Sequence, residues 1–359
     1  MKIIQMLPSI AFGDAVSNDA IAIKKVLSQM GYESRIYAEN IHHKMQGQAR
    51  PYRKMERMRK NDVLIYHNSI GTEMTFDFEN FSCRKIMIYH NITPPAFFDA
   101  YDNRSKRLTT YGLAATKCIA DKMDYCLAVS EFNKQDLRAM GYTCPIDVRP
   151  VFIPLLDYEK KPSKKILARY ENDGYTNILF VGRISPNKKQ EDIIRAFYYY
   201  KRNINRKSRL ILVGNSAGME KYSYKLKNYV DELGLADVVF TGSIPFDEIL
   251  AYYHLADLFL CMSEHEGFCV PLVEAMYFDV PILAYASSAV PSTLGGSGVL
   301  LEEKDPVLAG EMMHRILSDE ALRRQILQKQ RERLKDFSFE AVRALFEGQI
   351  SAFLEETKR

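Results

Sequence analysis

The sequence lacks the short motifs of the commonest metal-dependent and nucleotide-dependent enzymes. It contains no HExxH, no Walker A and no GxGxxG segment, so zinc hydrolysis, P-loop chemistry and dinucleotide binding have no support. It also contains no Asp-x-Asp pair, and Asp77-Phe78-Glu79 is the nearest approach to one. Because a diphosphate held through a divalent metal calls for paired carboxylates, the sequence predicts neither a metal nor a cofactor.

Cysteine is scarce, and its spacing matches no ligand pattern. The six cysteines form no CxxC pair, and most lie inside apolar runs such as Leu258–Cys261. This pattern indicates buried thiols in a reducing cytosol rather than zinc ligands or disulfides.

Long apolar runs are absent as well. The longest stretch without an acidic or basic side chain covers 280–301, and Pro281, Pro291 and three glycines interrupt it. Such a stretch cannot form a membrane-spanning helix, and the apolar part of the N-terminus is too short for a secretion signal. The sequence therefore predicts a cytoplasmic protein that is at most peripheral at the inner face of a membrane.

What the sequence does contain is a regular alternation of strand and helix patterns. The chain has 359 residues, of which 47% are hydrophobic and 26% charged. A single core rarely serves more than about 250–300 residues, so two domains are expected. Repeated strand–helix units favour parallel sheets covered on both faces. The predicted fold class is α/β, with two Rossmann-like doubly wound parallel-sheet domains facing across a cleft.

A proline-bearing break separates the two halves of the chain. Pro150, Pro154 and Pro162 lie in a lysine-rich segment, a composition typical of a linker. We therefore expect an N-terminal domain over 1–155 and a C-terminal domain over 156–338. The final helix, within 339–359, is expected to pack back on the first domain.

The segment from Ser263 to Met276 is the most informative in the chain. An apolar strand ends near Met262, a polar loop follows, and Pro271 stands where a helix is expected to begin. A helix N-terminus at the end of a strand can bind an anion, and Glu274 in its first turn can accept hydrogen bonds from sugar hydroxyls. The alternative is that Glu274 only complements the helix dipole and Glu266 is a solvated surface charge.

A second segment, from Phe180 to Lys189, repeats this arrangement of strand, glycine turn and helix. Gly182 provides the turn, and Arg183 and Lys188 leave the carboxyl end of the strand. A guanidinium fork and a compact ammonium suit phosphate oxygens, so these two residues are expected to clamp a diphosphate. The alternative is that both are ordinary surface charges.

Taken together, these segments carry a resemblance to a known family. Glu266 and Glu274 form a Glu-x7-Glu pair, and the Gly-Arg…Lys element precedes it. With the Gly13 loop and the strand that ends at His90, the sequence resembles retaining glycosyltransferase family 4 over essentially its whole length. The resemblance implies the GT-B fold and transfer of a sugar from a nucleotide diphosphate, with retention at the anomeric carbon.

The resemblance also implies roles for individual residues. Arg183 and Lys188 would neutralise the leaving diphosphate, and Glu266 would contact the hydroxyls of the donor sugar. His90 would lie near the transferred sugar, whereas its type alone indicates a buried structural histidine. The implied donor contacts are Gly13, Gly182, Gly267, Phe268, Cys269, Val270 and Glu274, the last of which would hold the ribose.

The sequence departs from the family pattern at a few positions. Asp14 follows Gly13 where a second glycine is usual, and Asp14 and Asn91 are expected to reach the acceptor or the sugar. Cys269 and Lys189 also stand where glycines are usual. A backbone contact near Cys269 and the helix start near Lys189 are therefore expected to shift slightly.

The predicted function is transfer of a hexose from GDP-mannose or a UDP-hexose to a saccharide acceptor. The acceptor is expected to be lipid-linked, in the biosynthesis of a surface polysaccharide or glycan. The resemblance favours same-face attack, in which the departing phosphate takes the proton and Glu266 orients the sugar. The alternatives are a nucleotide-sugar epimerase or phosphorylase on the same fold, and a catalytically silent nucleotide-sugar-binding subunit.

Positive charge is concentrated in the first domain. Residues 1–155 carry 21 Lys and Arg against 16 Asp and Glu, although the whole chain has a net charge of only +4. Arg50, Arg53, Lys54 and Arg57 recur at the spacing of one helical face, which predicts contact with anionic lipid at the inner membrane surface. The alternative is a solvated surface helix, and the lack of a basic and aromatic pattern argues against nucleic acid.

Overall fold

The computed structural model describes residues 1–355, except the side chains of Phe78 and Glu79. It divides into two compact units, the first formed by residues 1–95, 104–154 and 336–355 and the second by 96–103 and 155–335. The segment 96–103, which lies inside the predicted N-terminal domain, groups with the second unit. The last part of the predicted final helix, 356–359, lies outside the described residues.

Within residues 1–355, the first unit contains a parallel sheet of seven strands in the order β3-β2-β1-β4-β5-β6-β7. The strands are β1 (Lys2–Ile10), β2 (Glu33–Ile41), β3 (Arg50–Pro51), β4 (Val63–Asn68), β5 (Arg84–Tyr89), β6 (Tyr125–Ala128) and β7 (Ile146–Val148). The connecting helices are α1 (Ala15–Gln29), α2 (Asn103–Cys118) and α3 (Glu131–Ala139). Strands β4 and β6 are buried along their whole length, as expected for a sheet covered on both faces.

The second unit contains a parallel sheet of six strands within the described residues, in the order β10-β9-β8-β11-β12-β13. The strands are β8 (Thr176–Val181), β9 (Ser208–Val213), β10 (Val238–Gly242), β11 (Leu258–Cys261), β12 (Ile282–Tyr285) and β13 (Val299–Leu301). The helices are α4 (Lys164–Tyr170), α5 (Gln190–Asn203), α6 (Glu220–Glu232), α7 (Phe246–Leu255), α8 (Val270–Tyr277), α9 (Val290–Leu294), α10 (Pro306–Ser318) and α11 (Glu320–Leu334).

The last helix, α12 (Phe339–Glu355), belongs to the first unit. Its buried residues include Phe346 and Ile350. The guanidinium of Arg84 lies 3.5 Å from the ring centre of Phe353, and Gln349 donates a hydrogen bond of 3.2 Å to the carbonyl of Val148. The chain therefore returns to the first sheet after completing the second.

Both sheets have a point at which the strand order reverses. In the first unit the chain runs outward from β1 to β3 and then continues on the other side with β4, and in the second unit β8 and β11 stand at the same point. Loops that leave adjacent strands in opposite directions open a crevice at the carboxyl ends of those strands. The predicted fold class, with two doubly wound parallel-sheet domains, is confirmed.

One predicted helix begins later than expected. The pattern predicts a helix over about 97–122, but α2 begins at Asn103, and Pro95–Phe98 forms a separate 3-10 turn. Pro94 precedes this turn and Pro95 is its first residue, and proline restricts the residue before it to extended backbone. None of the helices in the described residues has the length and apolar character needed to cross a bilayer.

The predicted basic helical face is wrong. Arg50 lies in the short strand β3, paired beside β2, and Arg53 and Lys54 lie in a single 3-10 turn. Arg57 follows in irregular backbone. Pro51 fixes an extended conformation at Arg50, so the four basic residues do not share one helical face, and the membrane-contact prediction loses the geometry on which it rested.

Candidate functional site

Two loops of the second unit leave the carboxyl ends of the adjacent strands β8 and β11. The first runs from Gly182 to Lys189 and the second from Met262 to Cys269. Since β8 and β11 stand where the strand order reverses, this is the position at which open α/β sheets bind ligands. The structure therefore brings the two segments singled out in the sequence to one place.

A buried ion pair joins the two loops. The Lys188 ammonium donates hydrogen bonds of 2.6 and 2.5 Å to the two carboxylate oxygens of Glu266. The side chain of Glu266 is only 6% exposed and that of Lys188 is 21% exposed. Burial opposes the charge on Lys188, but the negative charge of Glu266 offsets this effect, and the pKa of Lys188 is raised. The alternative in which Glu266 is a solvated surface charge is wrong.

Asn187 ties the same two loops together through the backbone. Its side-chain amide donates to the carbonyl of His265 at 3.0 Å, and its carbonyl accepts from the amide of Glu264 at 2.8 Å. The side chain is buried, so these hydrogen bonds fix the loop that carries Lys188 against the loop that carries Glu266. Asn187 was not identified from the sequence, because its only local signal is a neutral amide beside Lys188.

Arg183 lies on the exposed edge of this site. Its Nη2 donates a hydrogen bond of 2.8 Å to the carbonyl of Ala217, which uses a fraction of the five N–H donors of a guanidinium. Behind it, Gly182 and Gly214 approach so closely that a Cβ on Gly214 would lie 1.9 Å from the Gly182 carbonyl oxygen. Gly214 was also missed, although Val213-Gly214 repeats the strand–glycine pattern of Val181-Gly182.

Helix α8 begins one residue earlier than predicted. Val270 is its first residue and Pro271 its second, and Cys269 caps it with a left-handed backbone at φ +70°. Gly267 and Phe268 lie in the loop before this cap, where the Phe268 carbonyl accepts a hydrogen bond of 2.6 Å from Thr293. The first N–H groups of α8 have no carbonyl partner within the helix. Cys269, which caps the helix, has its Sγ within 4.8 Å of a carboxylate oxygen of Glu266, and anion binding at this end stays a prediction.

Left-handed backbone occurs at two of the three positions at which the sequence departs from a usual glycine, whereas Asp14 has extended backbone. Lys189 has φ +51° and Cys269 has φ +70°. Residues other than glycine pay about 1–2 kcal/mol for this conformation. The backbone therefore keeps a conformation that favours glycine, although the side chains differ.

This strain gives a prediction with an internal control. Lys189→Gly is expected to be more stable than Lys189→Ala by about 1 kcal/mol, because both variants lose the ion pair with Glu264 and only glycine relaxes the backbone. At Arg195, which is exposed within α5, the order should reverse, with alanine more stable than glycine by about 1 kcal/mol. Urea denaturation of the four variants measures both differences in the free energy of unfolding. A Lys189→Ala variant more stable than Lys189→Gly would contradict the proposed backbone strain.

Glu274 is held by two tyrosines. Tyr158 donates to Oε1 at 2.7 Å and Tyr253 donates to Oε2 at 2.6 Å. Burial raises the pKa of Glu274, and the two hydrogen bonds act in the opposite direction. An ionised carboxylate has about four acceptor positions, so Glu274 keeps capacity for further hydroxyl donors. Neither tyrosine was identified from the sequence, because Tyr158 lies 116 positions from Glu274 along the chain.

Two clusters in the described residues have the donor atoms of a metal site. They are Cys261 with Glu266 and Cys269, and Asp19 with His67 and His90. In the first, the Lys188 ammonium already contacts both oxygens of Glu266. In the second, Arg149 contacts both oxygens of Asp19, at 3.0 and 2.6 Å. In each cluster, the carboxylate oxygens are therefore already paired with a lysine or arginine side chain. The residues do not fit a resident metal ion.

In the first unit, the loop after β1 carries Gly13 and Asp14. Gly13 has φ +74°, and a Cβ there would meet no atom within 4 Å. Asp14 caps α1, since its Oδ2 accepts hydrogen bonds from the amide of Ser17 at 2.9 Å and from the Ser17 hydroxyl at 2.7 Å. The structure thus gives Asp14 a capping role, and its predicted contact with acceptor or sugar stays a prediction.

His90 and Asn91 follow β5 at the carboxyl end of the first sheet. The His90 side chain is 3% exposed, and its Nε2 lies 3.0 Å from Nδ1 of His67, a residue missed in the sequence. Asn91 has left-handed backbone at φ +83° and donates a hydrogen bond of 2.8 Å to Asn133. Burial lowers the pKa of His90 to about 4 and that of His67 to about 3, so both rings are neutral near pH 7.

Buried neutral histidines make stability depend on pH. His67, His90 and His265 have lowered pKa values, chiefly through burial, compared with the ordinary 6.5. The unfolded chain therefore binds more protons than the folded chain between about pH 6.5 and about pH 4, and stability falls as pH falls through this window. Each histidine is expected to cost about 1.4 kcal/mol between about pH 7.5 and about pH 5.5.

Urea denaturation at these two pH values checks this expectation. His265→Gln should reduce the loss in the transition of the second unit, whereas the same change at the exposed His314 should leave it unaltered. A free energy of unfolding that is independent of pH across the window would contradict the burial of neutral imidazoles.

Comparison with known proteins adds an independent finding. Residues 163–333, which contain both loops of the second unit, match the family model described as glycosyl transferases group 1. The chain is 27% identical over 168 residues to D-inositol 3-phosphate glycosyltransferase of Corynebacterium efficiens, which covers 46% of this chain and only 40% of that relative. It is 22% identical over 261 residues to O-antigen chain mannosyltransferase B of Escherichia coli, covering 72% and 67% of the two chains.

Solved structures show the same fold over the whole chain. Sucrose-phosphate synthase from Thermosynechococcus elongatus superposes with a TM-score of 0.74 at 17% identity and covers 99% of this chain and 100% of that chain. Anabaena Alr3699/HepE in complex with UDP-glucose gives a TM-score of 0.77 at 16% identity, with 98% and 100% covered. The chain therefore has the GT-B fold, and the segment of it that carries Lys188, Glu266 and Glu274 matches group 1 of the glycosyl transferases.

Proposed function

We propose that this protein is a retaining, metal-independent glycosyltransferase of the family 4 type. It transfers a hexose from a nucleotide-diphosphate sugar, GDP-mannose or a UDP-hexose, to a saccharide acceptor. The observation that carries the proposal is the buried Lys188–Glu266 pair, which lies at the carboxyl ends of β8 and β11 inside the segment that matches group 1 glycosyl transferases.

Binding of the donor diphosphate is assigned to groups with positive charge or free N–H donors. Lys188 supplies a half-buried ammonium, Arg183 supplies a guanidinium at the exposed edge, and the N-terminus of α8 supplies backbone N–H groups. Negative charge develops on the leaving phosphate as the glycosidic bond breaks. Fixed donors stabilise that charge most effectively because they need no reorganisation during the reaction.

The carboxylate of Glu266 is proposed to orient the sugar rather than to attack it. Both of its oxygens accept hydrogen bonds from Lys188, which lowers their electron density and makes them weak nucleophiles. This favours same-face attack by the acceptor hydroxyl, with its proton passing to the departing phosphate. Glu274, held by Tyr158 and Tyr253, is proposed to accept hydrogen bonds from the ribose hydroxyls.

The proposed acceptor is a saccharide of a surface polysaccharide, carried on a lipid. Support comes from relatives whose names describe O-antigen and lipopolysaccharide transferases, including a lipopolysaccharide 1,2-N-acetylglucosaminetransferase of Salmonella typhimurium that is 24% identical over 310 residues. We propose only that the donor sugar is a hexose, because the names of these relatives describe different sugars.

The experiment that tests the proposal is a thermal-shift panel with UDP, GDP, ADP and their sugars, in buffer containing EDTA. A ligand that binds the folded state raises Tm in step with its affinity. We expect one nucleoside diphosphate and its hexose to raise Tm, with the chelator present. No shift with any member of the panel would contradict the proposal, and a shift that requires added Mg²⁺ would contradict its metal-independent part.

A further inference from the structure

A chain of buried side chains runs from the centre of the first sheet to His90. Oε1 of Gln5, in β1, lies 2.8 Å from Nε2 of His67, at the end of β4. Nδ1 of His67 lies 3.0 Å from Nε2 of His90. Gln5 and His67 are fully buried, and the His90 side chain is 3% exposed. Three polar groups are thus joined where water does not compete for their hydrogen bonds.

The chemistry of the three groups gives this chain a direction. The carbonyl oxygen of Gln5 can only accept, so Nε2 of His67 must carry a proton. A neutral imidazole has one N–H, which leaves Nδ1 of His67 as an acceptor. Nε2 of His90 must then donate to it. The proton of neutral His90 therefore lies on Nε2, and its Nδ1 carries a lone pair.

Asp19 favours the same direction by a separate contact. Its Oδ2 lies 3.9 Å from Nε2 of His90, too far for a hydrogen bond but close enough for charge to matter. Arg149 keeps this carboxylate ionised, because its guanidinium contacts both oxygens and the pKa of Asp19 is lowered in spite of burial. An N–H facing the carboxylate is attracted, whereas a bare nitrogen lone pair would be repelled.

Exchanging the oxygen and nitrogen positions of the Gln5 amide would reverse the donor and acceptor roles of both histidines. His67 would then donate from Nδ1, and His90 would present a bare Nε2 towards Asp19. In the present orientation, Nε2 of Gln5 is buried without a hydrogen-bond partner among the described residues. In return, the N–H of His90 faces the buried carboxylate of Asp19.

We propose that Gln5 and His67 are positioning residues that hold His90 in the tautomer protonated at Nε2, so that Nδ1 accepts a hydrogen bond from a hydroxyl of the sugar substrate. The inference rests on the proposed function for the identity of that hydroxyl. Its first part, the tautomer, concerns the protein alone. The two parts can therefore fail separately.

The tautomer is tested by nuclear magnetic resonance on the full chain labelled with ¹⁵N-histidine, at neutral pH and without ligand. Neutral imidazoles give well separated nitrogen signals for the protonated and the bare position, and the His90→Gln and His67→Gln variants assign the two rings. We expect a proton on Nε2 of both rings. A proton on Nδ1 of His90 would overturn the proposal whether or not the protein transfers sugar.

The positioning role is tested with Gln5→Met, which removes the acceptor at similar volume. We expect a mixture of His90 tautomers and a fall in kcat of about tenfold, equivalent to one net hydrogen bond, with a smaller change in donor KM. Gln48→Met, the same change at an exposed position, should alter neither signal nor rate. An unchanged His90 tautomer and an unchanged kcat in Gln5→Met would overturn the positioning role. Should Gln5→Met fail to fold, the wild-type spectrum still decides the tautomer.

Discussion

Lys188→Ala is expected to lower kcat for sugar transfer by about a hundredfold or more, with the KM for the acceptor nearly unchanged. The side chain of Lys188 is half-buried, and its ammonium contacts both oxygens of the buried Glu266. Its removal withdraws charge stabilisation from the leaving phosphate, which is needed most in the transition state. Steady-state kinetics with the donor identified by the thermal-shift panel measures the effect.

Two further variants separate catalysis from folding. Lys188→Ala also leaves Glu266 buried without its cation, and breaking a buried pair by removing one partner costs about 3–5 kcal/mol. Lys188→Met combined with Glu266→Gln removes both charges, so it should recover most of the stability and none of the activity. Lys189→Ala removes a neighbouring lysine, paired with Glu264 at 3.2 Å, and should change kcat little. A near-normal kcat for Lys188→Ala would remove the residue from the mechanism.

Arg149→Met is expected to destabilise the first unit by about 3–5 kcal/mol. Arg149 and Asp19 are both fully buried, and the guanidinium contacts the two carboxylate oxygens. Asp19 also accepts a hydrogen bond of 2.8 Å from the amide of Phe152. The ring of Phe346, in α12, has its centre 5.6 Å from the guanidinium. Removing Arg149 therefore leaves an unpaired buried charge at the point where α1, the end of β7 and α12 meet.

The controls for this prediction use the same change elsewhere and the partner residue. Arg138→Met removes an exposed arginine that donates to the carbonyl of Tyr142, and it should cost less than about 1 kcal/mol. Adding Asp19→Asn to Arg149→Met should restore part of the loss, because the unpaired charge is gone. Urea denaturation that follows the first unit provides the values, and equal losses for Arg138→Met and Arg149→Met would contradict the account.

The parts of the fold that depend on local pattern could be predicted from the sequence. The apolar runs over 63–67, 177–181 and 209–213 predict strands, because a buried parallel strand must be apolar on both faces. They coincide with β4, β8 and β9 to within one residue at each end. The Gly-Arg…Lys and Glu-x7-Glu segments could be placed near each other, since both follow strands and parallel strands end at one edge of a sheet. The ion pair between Lys188 and Glu266 could not be predicted, because it depends on which two strands are adjacent in the sheet.

Residues that act through distant contacts gave no local signal. Tyr158 and Tyr253 look like ordinary core aromatics, and their hydroxyls reach Glu274 only after the second unit has folded. Asn187 and Gln5 are neutral amides whose partners lie 78 and 62 positions away. Spacing also misled at Arg50, where a helical repeat of basic residues was overridden by Pro51 and by pairing with β2.

Lys188 is proposed to hold the diphosphate of a nucleotide sugar without a metal. Isothermal titration tests this role most directly. The nucleoside diphosphate selected by the thermal-shift panel is titrated, with EDTA present, into the wild type and into the Lys188→Met, Glu266→Gln double variant. We expect measurable binding to the wild type and binding at least about tenfold weaker to the double variant, because the double variant loses one charge-assisted contact. Equal affinities for the two proteins, or binding to the wild type that disappears in EDTA, would contradict it.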